Sequence, residues 1–384
     1  MLLRRSSSIT SRIATVDVSP LRDATASHAA RLAAANALSS CFARDGFAVV
    51  VGHGVASSTM EGLRGEARAF FGQPIELKAA YDTGKGYGYG GYVREGRENG
   101  AQLLGDFSRP ADLVESLTLR GLTLPAWTTA AVEDAANEAV EGVESSPRMG
   151  FGGIHKGSES APASLVEPAR RFVAESRVLS AALAEVAHLA LGVPSAELDA
   201  LVDVGAAGCR LAHYPPQRTD AAPGQLRYGA HVDSGGITVL SLDPSNHAGL
   251  QVDLSHLGPQ AEEAQRDWAD VPLVDNGLVC NCGALLSRWT HGRWRASVHR
   301  VLNGDTTRAR LSVVTNALTP RPDAPAVAGF TSCLPAGATA EPVVVQDFLT
   351  RRVALHRQEY AQEMALRTPA ELESERERIR SLDV

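Results

Sequence analysis

Short β-type segments that alternate with turn residues fill the sequence between Cys209 and Leu318. In chain order these segments are CRLAHY, GITVLSL, GLQVDL, GLVCNCG, ASVHRVL and RLSVVTNAL. Several short strands at this spacing are typical of an antiparallel sandwich or barrel. We therefore expect this part of the chain to form the main β-structure of the protein.

Helical patterns dominate the sequence before this region. Residues 24–44 and 57–72 carry apolar side chains at helical spacing, and DGFAVVVGHGV between them is typical of a buried strand. An Ala- and Leu-rich segment predicts a long helix over 164–191, with a stop signal at Gly192 and Pro194. The combined prediction is an α+β protein that is mainly β with added helices.

Changes in composition divide the chain into six predicted segments. These are a basic flexible tail (1–12), an N-terminal helical region (13–142), an inserted loop or linker rich in Gly, Ser and Pro (143–164), a long helix (165–200), the β-rich core (201–330), and a C-terminal helix with a charged tail (331–384).

Composition argues against several classes of protein. The net charge of −7 gives no field that attracts a polyanion, so we expect no nucleic-acid partner. The chain has no apolar run long enough for a transmembrane helix. Five cysteines, an odd number in a long chain, do not indicate a disulfide framework. We interpret Cys280 and Cys282 as small buried residues, with metal binding by this pair as the alternative.

The first residues of the chain are basic. Arg4, Arg5 and Arg12 precede the first acidic residue, Asp17, and this composition is similar to a short organelle presequence. We expect a frayed basic tail on a cytoplasmic protein, with organelle targeting as the alternative.

A histidine and an aspartate lie two positions apart in RYGAHVDSGGITVL, at His231 and Asp233. On a strand both side chains project to one face, where an imidazole and a carboxylate can bind the same ion. This donor set suits Fe(II), Mn(II) or Zn(II). Two ligands are too few for a catalytic metal, and His299 in RASVHRVLNG is the best candidate for the third. Two histidines and one carboxylate form the facial triad of non-haem Fe(II) oxygenases, which leaves open positions on the metal.

Arg310 and Ser312 share one face of the next predicted strand, 11 residues beyond His299. A guanidinium fork beside a hydroxyl is well suited to bind a carboxylate. A turn and a return strand fit the separation from His299. We therefore expect a carboxylate anchor within reach of a ligand that chelates the metal.

With these motifs, the chain resembles the isopenicillin N synthase-like branch of the 2-oxoglutarate/Fe(II)-dependent dioxygenases over nearly its whole length. The matching segments are ATVDVSPL, DGFAVVVGHGV, ARAFFGQPIELKAAY, RLAHYPPQ, HVDSGGITVL, GLQV, CNCGALLSRWTHGRWRASVHRVLNG and RARLS. The resemblance implies a double-stranded β-helix (jelly-roll) core with a helical N-terminal region and a C-terminal helix.

The resemblance also implies roles for particular residues. They are the iron ligands His231, Asp233 and His299, the clamp Arg310 and Ser312 on the distal carboxylate of 2-oxoglutarate, and Tyr214, which matches a tyrosine that donates to the same carboxylate. The implied reaction hydroxylates, desaturates or cyclises a small organic substrate with O2, and converts 2-oxoglutarate to succinate and CO2. We expect a monomer, with a weak homodimer as the alternative.

Some features depart from the family pattern. Ala284 stands where an acidic residue is common, and residues 253–268 lengthen the connection between Asp233 and His299. We expect substrate contacts from the Gly- and Tyr-rich loop (Tyr87, Tyr89 and Tyr92), from the loop after Asp233 and from the C-terminal helix.

Three alternative functions fit parts of the pattern. Isopenicillin N synthase-like Fe(II) oxidases use the same triad without 2-oxoglutarate. A non-catalytic jelly roll could use the same site only to bind a metal or a small molecule. A zinc hydrolase could use the three metal ligands, but it would not explain Arg310 and Ser312. The sequence does not identify the organic substrate.

Overall fold

Two β-sheets that face each other form the centre of the protein. A computed structural model describes residues 12–84, 87–88, 90–120, 122, 161–203, 208–216, 221–259, 261–305, 307–321, 323–337 and 341–380. The predicted tail (1–12, except its last residue) and most of the predicted linker (143–164) lie outside these residues.

The strands are short, as the turn-rich sequence predicts. They are β1 (Thr15–Asp17), β2 (Phe47–Val51), β3 (Gly91–Val93), β4 (Glu115–Leu119), β5 (Val202–Asp203), β6 (Cys209–Tyr214), β7 (Tyr228–His231), β8 (Ile237–Leu242), β9 (Leu250–Asp253), β10 (Trp268–Asp270), β11 (Leu278–Cys282), β12 (His299–Val301), β13 (Arg310–Ala317) and β14 (Thr319–Pro320).

Most of the described α-helices lie before or after the strand-rich region in sequence, and α7 (Ala284–Trp289) lies within it. They are α1 (Ser19–Arg22), α2 (His28–Asp45), α3 (Ser57–Phe71), α4 (Ile75–Ala79), α5 (Ala163–Leu191), α6 (Ser195–Leu201), α7 (Ala284–Trp289), α8 (Val345–Leu355), α9 (Gln358–Met364) and α10 (Pro369–Arg380). Short 3₁₀ helices cover Gly100–Leu104 and Glu263–Gln265.

The larger sheet has the order β1-β2-β11-β8-β13-β6-β4-β3, and the smaller sheet has the order β10-β9-β12-β7. In both sheets every pair is antiparallel except β1 with β2. Strands from the N-terminal region extend both edges of the larger sheet. The description of 13–142 as helical therefore leaves out β3 and β4, which contain only three and five residues.

Alternate residues of the larger sheet pack in different layers. In β2, Phe47 and Val49 join an apolar cluster that contains residues of both sheets, whereas Ala48 and Val50 join the cluster that contains the helices. This two-sided burial explains why β2 is a continuous apolar run. The interior between the sheets is thus lined by every second residue of each strand.

Helix α5 is the longest element that packs on this sheet. It contacts α2, α3 and β13 and buries Phe172, Leu183 and Val186. Burial of side chains this large contributes about 1.5–3 kcal/mol each, which outweighs the weak intrinsic preference of any one helix. The predicted long helix over 164–191 agrees closely with α5.

Gly46 connects α2 to β2 and fixes where β2 begins. Its φ of 65° is left-handed, and a Cβ at this position would lie 2.3 Å from the carbonyl oxygen of Arg295. Only glycine fits this tight turn. The next residue, Phe47, places its ring 5.2 Å from the imidazole of His299, at the predicted metal site.

The α+β prediction is confirmed by these sheets and helices. The C-terminal segment differs from the expected single helix, because α8, α9 and α10 follow one another there. All five cysteines are buried and free, as expected for the small buried residues of β11 and elsewhere. Within the described residues, no helix has the length and apolar character needed to cross a membrane.

Candidate active site

Strand pairing brings the three predicted metal ligands together. His231 is the last residue of β7 and His299 the first of β12, and the two are directly paired in the antiparallel register. Asp233 follows two residues after β7. Because β7 and β12 are neighbours, ligands far apart in sequence lie at one end of the small sheet.

The ligand atoms surround a common point. His231 Nε2 lies 3.5 Å from Asp233 Oδ1, and His299 Nε2 lies 3.7 Å from the same oxygen. These separations are longer than normal hydrogen bonds and leave room for an ion between the three atoms. In the part of the chain that the structure describes, this is the single group of His, Cys, Asp and Glu side chains able to hold a metal.

Each histidine is oriented through its other ring nitrogen. His231 Nδ1 donates to the carbonyl of Gly229 at 2.8 Å, and His299 Nδ1 donates to the carbonyl of Ser297 at 3.1 Å. With Nδ1 protonated, the lone pair of each Nε2 is free to bind a metal. The residues present therefore fit a divalent transition metal.

The aspartate is held from two sides. Asn281 Nδ2 donates to Asp233 Oδ2 at 2.7 Å, which leaves Oδ1 to face the imidazoles. The buried guanidinium of Arg352 in α8 donates to the carbonyl of Val232 at 2.9 Å and to Ser234 Oγ at 3.1 Å. Arg352 therefore fixes the residues on either side of Asp233, which links the C-terminal helix to the metal site.

The environment favours the protonation states that bind metal. Burial and, to a smaller degree, electrostatic repulsion from the His231 imidazole lower the pKa of His299 to about 4. Burial raises the pKa of Asp233, but the charge of His299 and the contacts with His231 outweigh this and hold the pKa well below its usual range. A neutral imidazole and an ionised carboxylate are the forms that ligate metals.

The predicted carboxylate clamp lies on the larger sheet. Arg310 and Ser312 of β13 pair with Tyr214 and Ala212 of β6, so all four residues lie on matched positions of two neighbouring strands. Arg310 Nη1 donates to Ser312 Oγ at 2.6 Å. The Arg310 guanidinium lies 4.9 Å from the centre of the Tyr214 ring. The three predicted co-substrate residues are therefore together.

Arg310 is incompletely satisfied by the protein. The side chain is only 1% exposed, and its Nε and Nη2 have no hydrogen-bond partner among the described residues. Burial lowers the pKa of Arg310, and the interaction with Tyr214 partly offsets this decrease. Unpartnered buried polar groups are rare in proteins and call for an explanation. A bound carboxylate would supply both the missing acceptors and the missing negative charge.

Aromatic residues border the metal site next to His231. The ring of Tyr228 lies 4.7 Å from that of His231, and its hydroxyl lies 3.1 Å from His356 Nδ1. Tyr87, from the Gly- and Tyr-rich loop, stacks on His356 at 4.0 Å. Burial holds the pKa of His356 well below its usual range, so this imidazole is neutral.

A buried ion pair lies behind these rings. Arg210 Nη2 and Glu98 Oε2 are 2.7 Å apart, and the Arg210 guanidinium lies 5.3 Å from the Tyr87 ring and 5.5 Å from the Tyr228 ring. Glu98 is completely buried, whereas the Arg210 side chain is 17% exposed. The Arg210 guanidinium thus lies behind the rings of Tyr87 and Tyr228.

The other two tyrosines of the predicted substrate loop are not placed at the metal site by the described residues. Tyr92 is buried and donates to the carboxylate of Glu115, which also binds Lys78, so it belongs to a separate polar cluster. Tyr89 lies outside the described residues. Ala284, which replaces the common acidic residue, donates its backbone N–H to the carbonyl of Asp233 at 2.7 Å. That contact needs no side chain.

Sequence reasoning missed several residues around the predicted metal ligands, among them Asn281, Arg352 and His356. Asn281 lies in the CNCG segment, where a polar side chain in an otherwise buried strand was a usable signal. Arg352 and His356 lie in a C-terminal segment whose sequence carries no metal-site motif, so only the packing of α8 reveals them.

Two family models match the sequence. Residues 206–317 match the 2OG-Fe(II) oxygenase superfamily. Residues 13–133 match the model described as non-haem dioxygenase in morphine synthesis N-terminal. The first match contains the three predicted metal ligands and the predicted clamp pair.

Curated relatives agree with these matches. The 2-oxoglutarate-dependent dioxygenase caaD of Aspergillus niger is 28% identical over 260 residues, which cover 67% of this chain and 70% of that protein. The 2-oxoglutarate-dependent dioxygenase citB of Monascus ruber is 28% identical over 309 residues, which cover 78% of this chain and 82% of that protein. The chain belongs to the 2OG-Fe(II) oxygenase superfamily. The prediction of a non-haem Fe(II)/2-oxoglutarate-dependent dioxygenase is therefore confirmed.

Solved structures of other superfamily members share its fold. A full-length protein from Neurospora crassa, solved in complex with alpha-KG, has a TM-score of 0.66 at 22% identity, and the match covers 88% of this chain and 95% of that protein. The dioxygenase for auxin oxidation in rice has a TM-score of 0.60 at 20% identity, with coverage of 89% and 95%. At these identities the likeness concerns the fold, and it confirms the predicted jelly-roll core.

Proposed function

We propose that this oxygenase binds Fe(II) through His231, Asp233 and His299 and binds 2-oxoglutarate through Arg310 and Ser312. The reaction hydroxylates, desaturates or cyclises a small organic substrate. It uses O2 and converts 2-oxoglutarate to succinate and CO2. Isopenicillin N synthase-like oxidation without 2-oxoglutarate and non-catalytic binding find no support in the relatives, which are named as 2-oxoglutarate-dependent dioxygenases.

One observation carries the proposal. A metal-ligand set on the small sheet and an incompletely satisfied, buried arginine on the larger sheet line the same interior. A 2-oxo acid that chelates the metal at one end and carries a carboxylate at the other would join the two groups. 2-Oxoglutarate has this chemistry, and the Neurospora crassa structure contains alpha-KG.

Each residue has a defined task in this scheme. When bound, Fe(II) supplies the activation of O2 that the oxidative decarboxylation requires. Arg310 neutralises the distal carboxylate and binds it through Nε and Nη2. Ser312 now accepts from Arg310 Nη1, so its hydroxyl hydrogen is available to the same carboxylate. Tyr214 completes this end with its hydroxyl.

The organic substrate would bind on the side of His231 where aromatic residues collect. Tyr87, Tyr228 and His356 offer ring faces, and the Arg210 side chain is partly exposed. Such a mixture of rings and few polar groups suits a small organic molecule. Access would require movement of Tyr87, because its ring now stacks on His356.

The molecule would act as a cytoplasmic monomer. Its five cysteines are all free, which fits a reducing compartment. In the described residues, the large exposed apolar side chains are scattered: Ile75, Leu77, Leu257, Val344 and Leu366. Light scattering would test the monomeric state, and cell fractionation would test the cytoplasmic location.

Release of labelled CO2 tests the proposed reaction. Purified protein is incubated in air with Fe(II) and 2-oxoglutarate labelled with carbon-14 at C1, with and without a mixture of candidate organic acids, phenols and amines. We expect release that needs Fe(II), O2 and His231, and that increases with a true substrate. Equal release from wild type and His231→Ala would contradict the assignment of the metal site.

A further inference from the structure

A second buried arginine lies near the carboxylate clamp. Arg227 immediately precedes β7 and is 0% exposed. Its Nη2 donates to the carbonyls of Asp305 at 2.9 Å and Arg308 at 2.8 Å. Arg308 is two residues before Arg310, so these bonds attach Arg227 to the start of the clamp strand β13.

The remaining nitrogens of Arg227 are unsatisfied. Its Nε and Nη1 have no hydrogen-bond partner among the described residues, and the same holds for Nε and Nη2 of Arg310. Burial lowers the pKa of Arg227, and the positive charge of Arg310 lowers it further. Tyr214 and Asp305 act in the opposite direction on Arg227. Both arginines lie at the same end of β13, because Arg227 bonds the carbonyl of Arg308 and Arg310 is the first residue of that strand.

No carboxylate of the described residues forms an ion pair with either arginine. Asp305 is exposed, and its Oδ1 accepts from the Thr307 backbone N–H at 3.0 Å. Asp243, whose charge favours ionised Arg310, pairs with Arg68 at 2.9 Å. Two neighbouring buried cations without a paired anion are costly, and an anionic ligand would offset that cost.

We propose that Arg227 and Arg310 together form the anion-binding end of the 2-oxoglutarate site, and that Arg227 is a specificity-determining residue for 2-oxo acids with a distal carboxylate. This inference rests on the proposed function. Arg310 supplies the fork that holds the carboxylate. Arg227 adds a second positive charge, which attracts a distal carboxylate but not the uncharged end of another 2-oxo acid. It therefore distinguishes the two kinds of ligand by charge.

The competing explanation is purely structural, because Arg227 also holds the turn before β13. The two explanations separate with a matched pair of ligands. 2-Oxoglutarate and 2-oxopentanoate have the same number of carbons and the same metal-chelating end, but only the first has a distal carboxylate. A defect that reaches the metal end weakens the binding of both, whereas a lost charge or a displaced clamp strand weakens 2-oxoglutarate alone. Arg227→Gln separates the last two, because it removes the charge but keeps a donor for the carbonyls of Asp305 and Arg308.

The test measures the dissociation constants of both ligands for the anaerobic, Fe(II)-loaded protein. Arg227→Met removes the charge at similar size. Arg227→Gln also removes it but keeps a donor for the two carbonyls, so it serves if Arg227→Met does not fold. We expect either variant to bind 2-oxoglutarate about tenfold more weakly, with 2-oxopentanoate unchanged. Arg308→Met, which removes an exposed guanidinium on the same turn, should change neither constant.

Equal weakening of both ligands, or no weakening of 2-oxoglutarate, would overturn the role of Arg227. If wild type bound the two ligands equally well while Fe(II) binding was intact, the proposed 2-oxoglutarate site itself would be wrong. If wild type and Arg227→Gln preferred 2-oxoglutarate over 2-oxopentanoate to the same extent, the proposed function would stand. Only the role of Arg227 would then be wrong.

Discussion

The metal end and the carboxylate end of the site differ in how fully the protein satisfies their polar groups. His231 and His299 each donate to a backbone carbonyl, and Asp233 accepts from Asn281. By contrast, Arg310 and Arg227 keep buried nitrogens without partners among the described residues. In the proposed site the metal ligands are therefore oriented in advance by the protein, whereas a bound ligand would complete the anion end. Substitutions at the two ends should separate in their effects.

The largest effect should follow loss of a metal ligand. His231→Ala removes one of three protein donors, so we expect Fe(II) binding and succinate formation to fall to background. Metal content after desalting and succinate release measure both. The control is His28→Ala, which removes an exposed imidazole at the start of α2. A variant that kept its iron and its turnover would show that His231 is not a ligand.

Loss of the clamp should be the next largest effect, and it should spare the metal. Arg310→Met removes charge-assisted hydrogen bonds, so we expect 2-oxoglutarate to bind about 100-fold more weakly, with Fe(II) affinity unchanged. Arg310→Lys keeps the charge but not the forked guanidinium, so its affinity for 2-oxoglutarate should lie between those of wild type and Arg310→Met. Calorimetry of each ligand checks both constants. Weaker iron binding in Arg310→Met would break the proposed separation between the ends.

A smaller effect should follow loss of the groups that orient Asp233. Asn281→Ala and Arg352→Ala each remove contacts to Asp233 or its neighbours, so we expect about tenfold weaker metal binding. The matched control is Arg351→Ala, because Arg351 is exposed on the same helix. Titration with Co(II) under anaerobic conditions measures this affinity. Wild-type affinity in both variants would mean that Asp233 needs no such support.

The smallest effect should come from Tyr214. Tyr214→Phe keeps the ring near Arg310 and removes one hydroxyl, which is worth about 1 kcal/mol and hence about fivefold in 2-oxoglutarate affinity. The KM for 2-oxoglutarate should rise while kcat stays the same. An unchanged KM would place Tyr214 among the packing residues of the clamp strand.

Local pattern was sufficient to predict the parts of the molecule that follow a short repeat. The helix over 164–191 and the β-type runs carry their periodicity in every residue, so α5 and the strands of the core agree with the prediction. The predictions for His231, Asp233, Arg310 and Ser312 rest on the same kind of pattern, since residues two apart on a strand share a face.

The rest depends on contacts between distant segments. Nothing near Arg352 in the sequence indicates that α8 returns to the residues around Asp233, and nothing near Arg227 indicates its closeness to Arg310. The three-helix C-terminal segment and the edge strands β3 and β4 are fixed by what they pack against. These features become visible only when the chain is folded, because their stabilising partners lie far away along it.

The most direct test of the central claim is an anaerobic titration of the Fe(II)-loaded protein with 2-oxoglutarate, followed by visible absorption. Chelation of the metal by the 2-oxo acid should produce a weak charge-transfer band that saturates with 2-oxoglutarate. Arg310→Met should need much more ligand to reach the same band, and His231→Ala should give none. A wild-type protein that holds Fe(II) but shows no band would contradict the account.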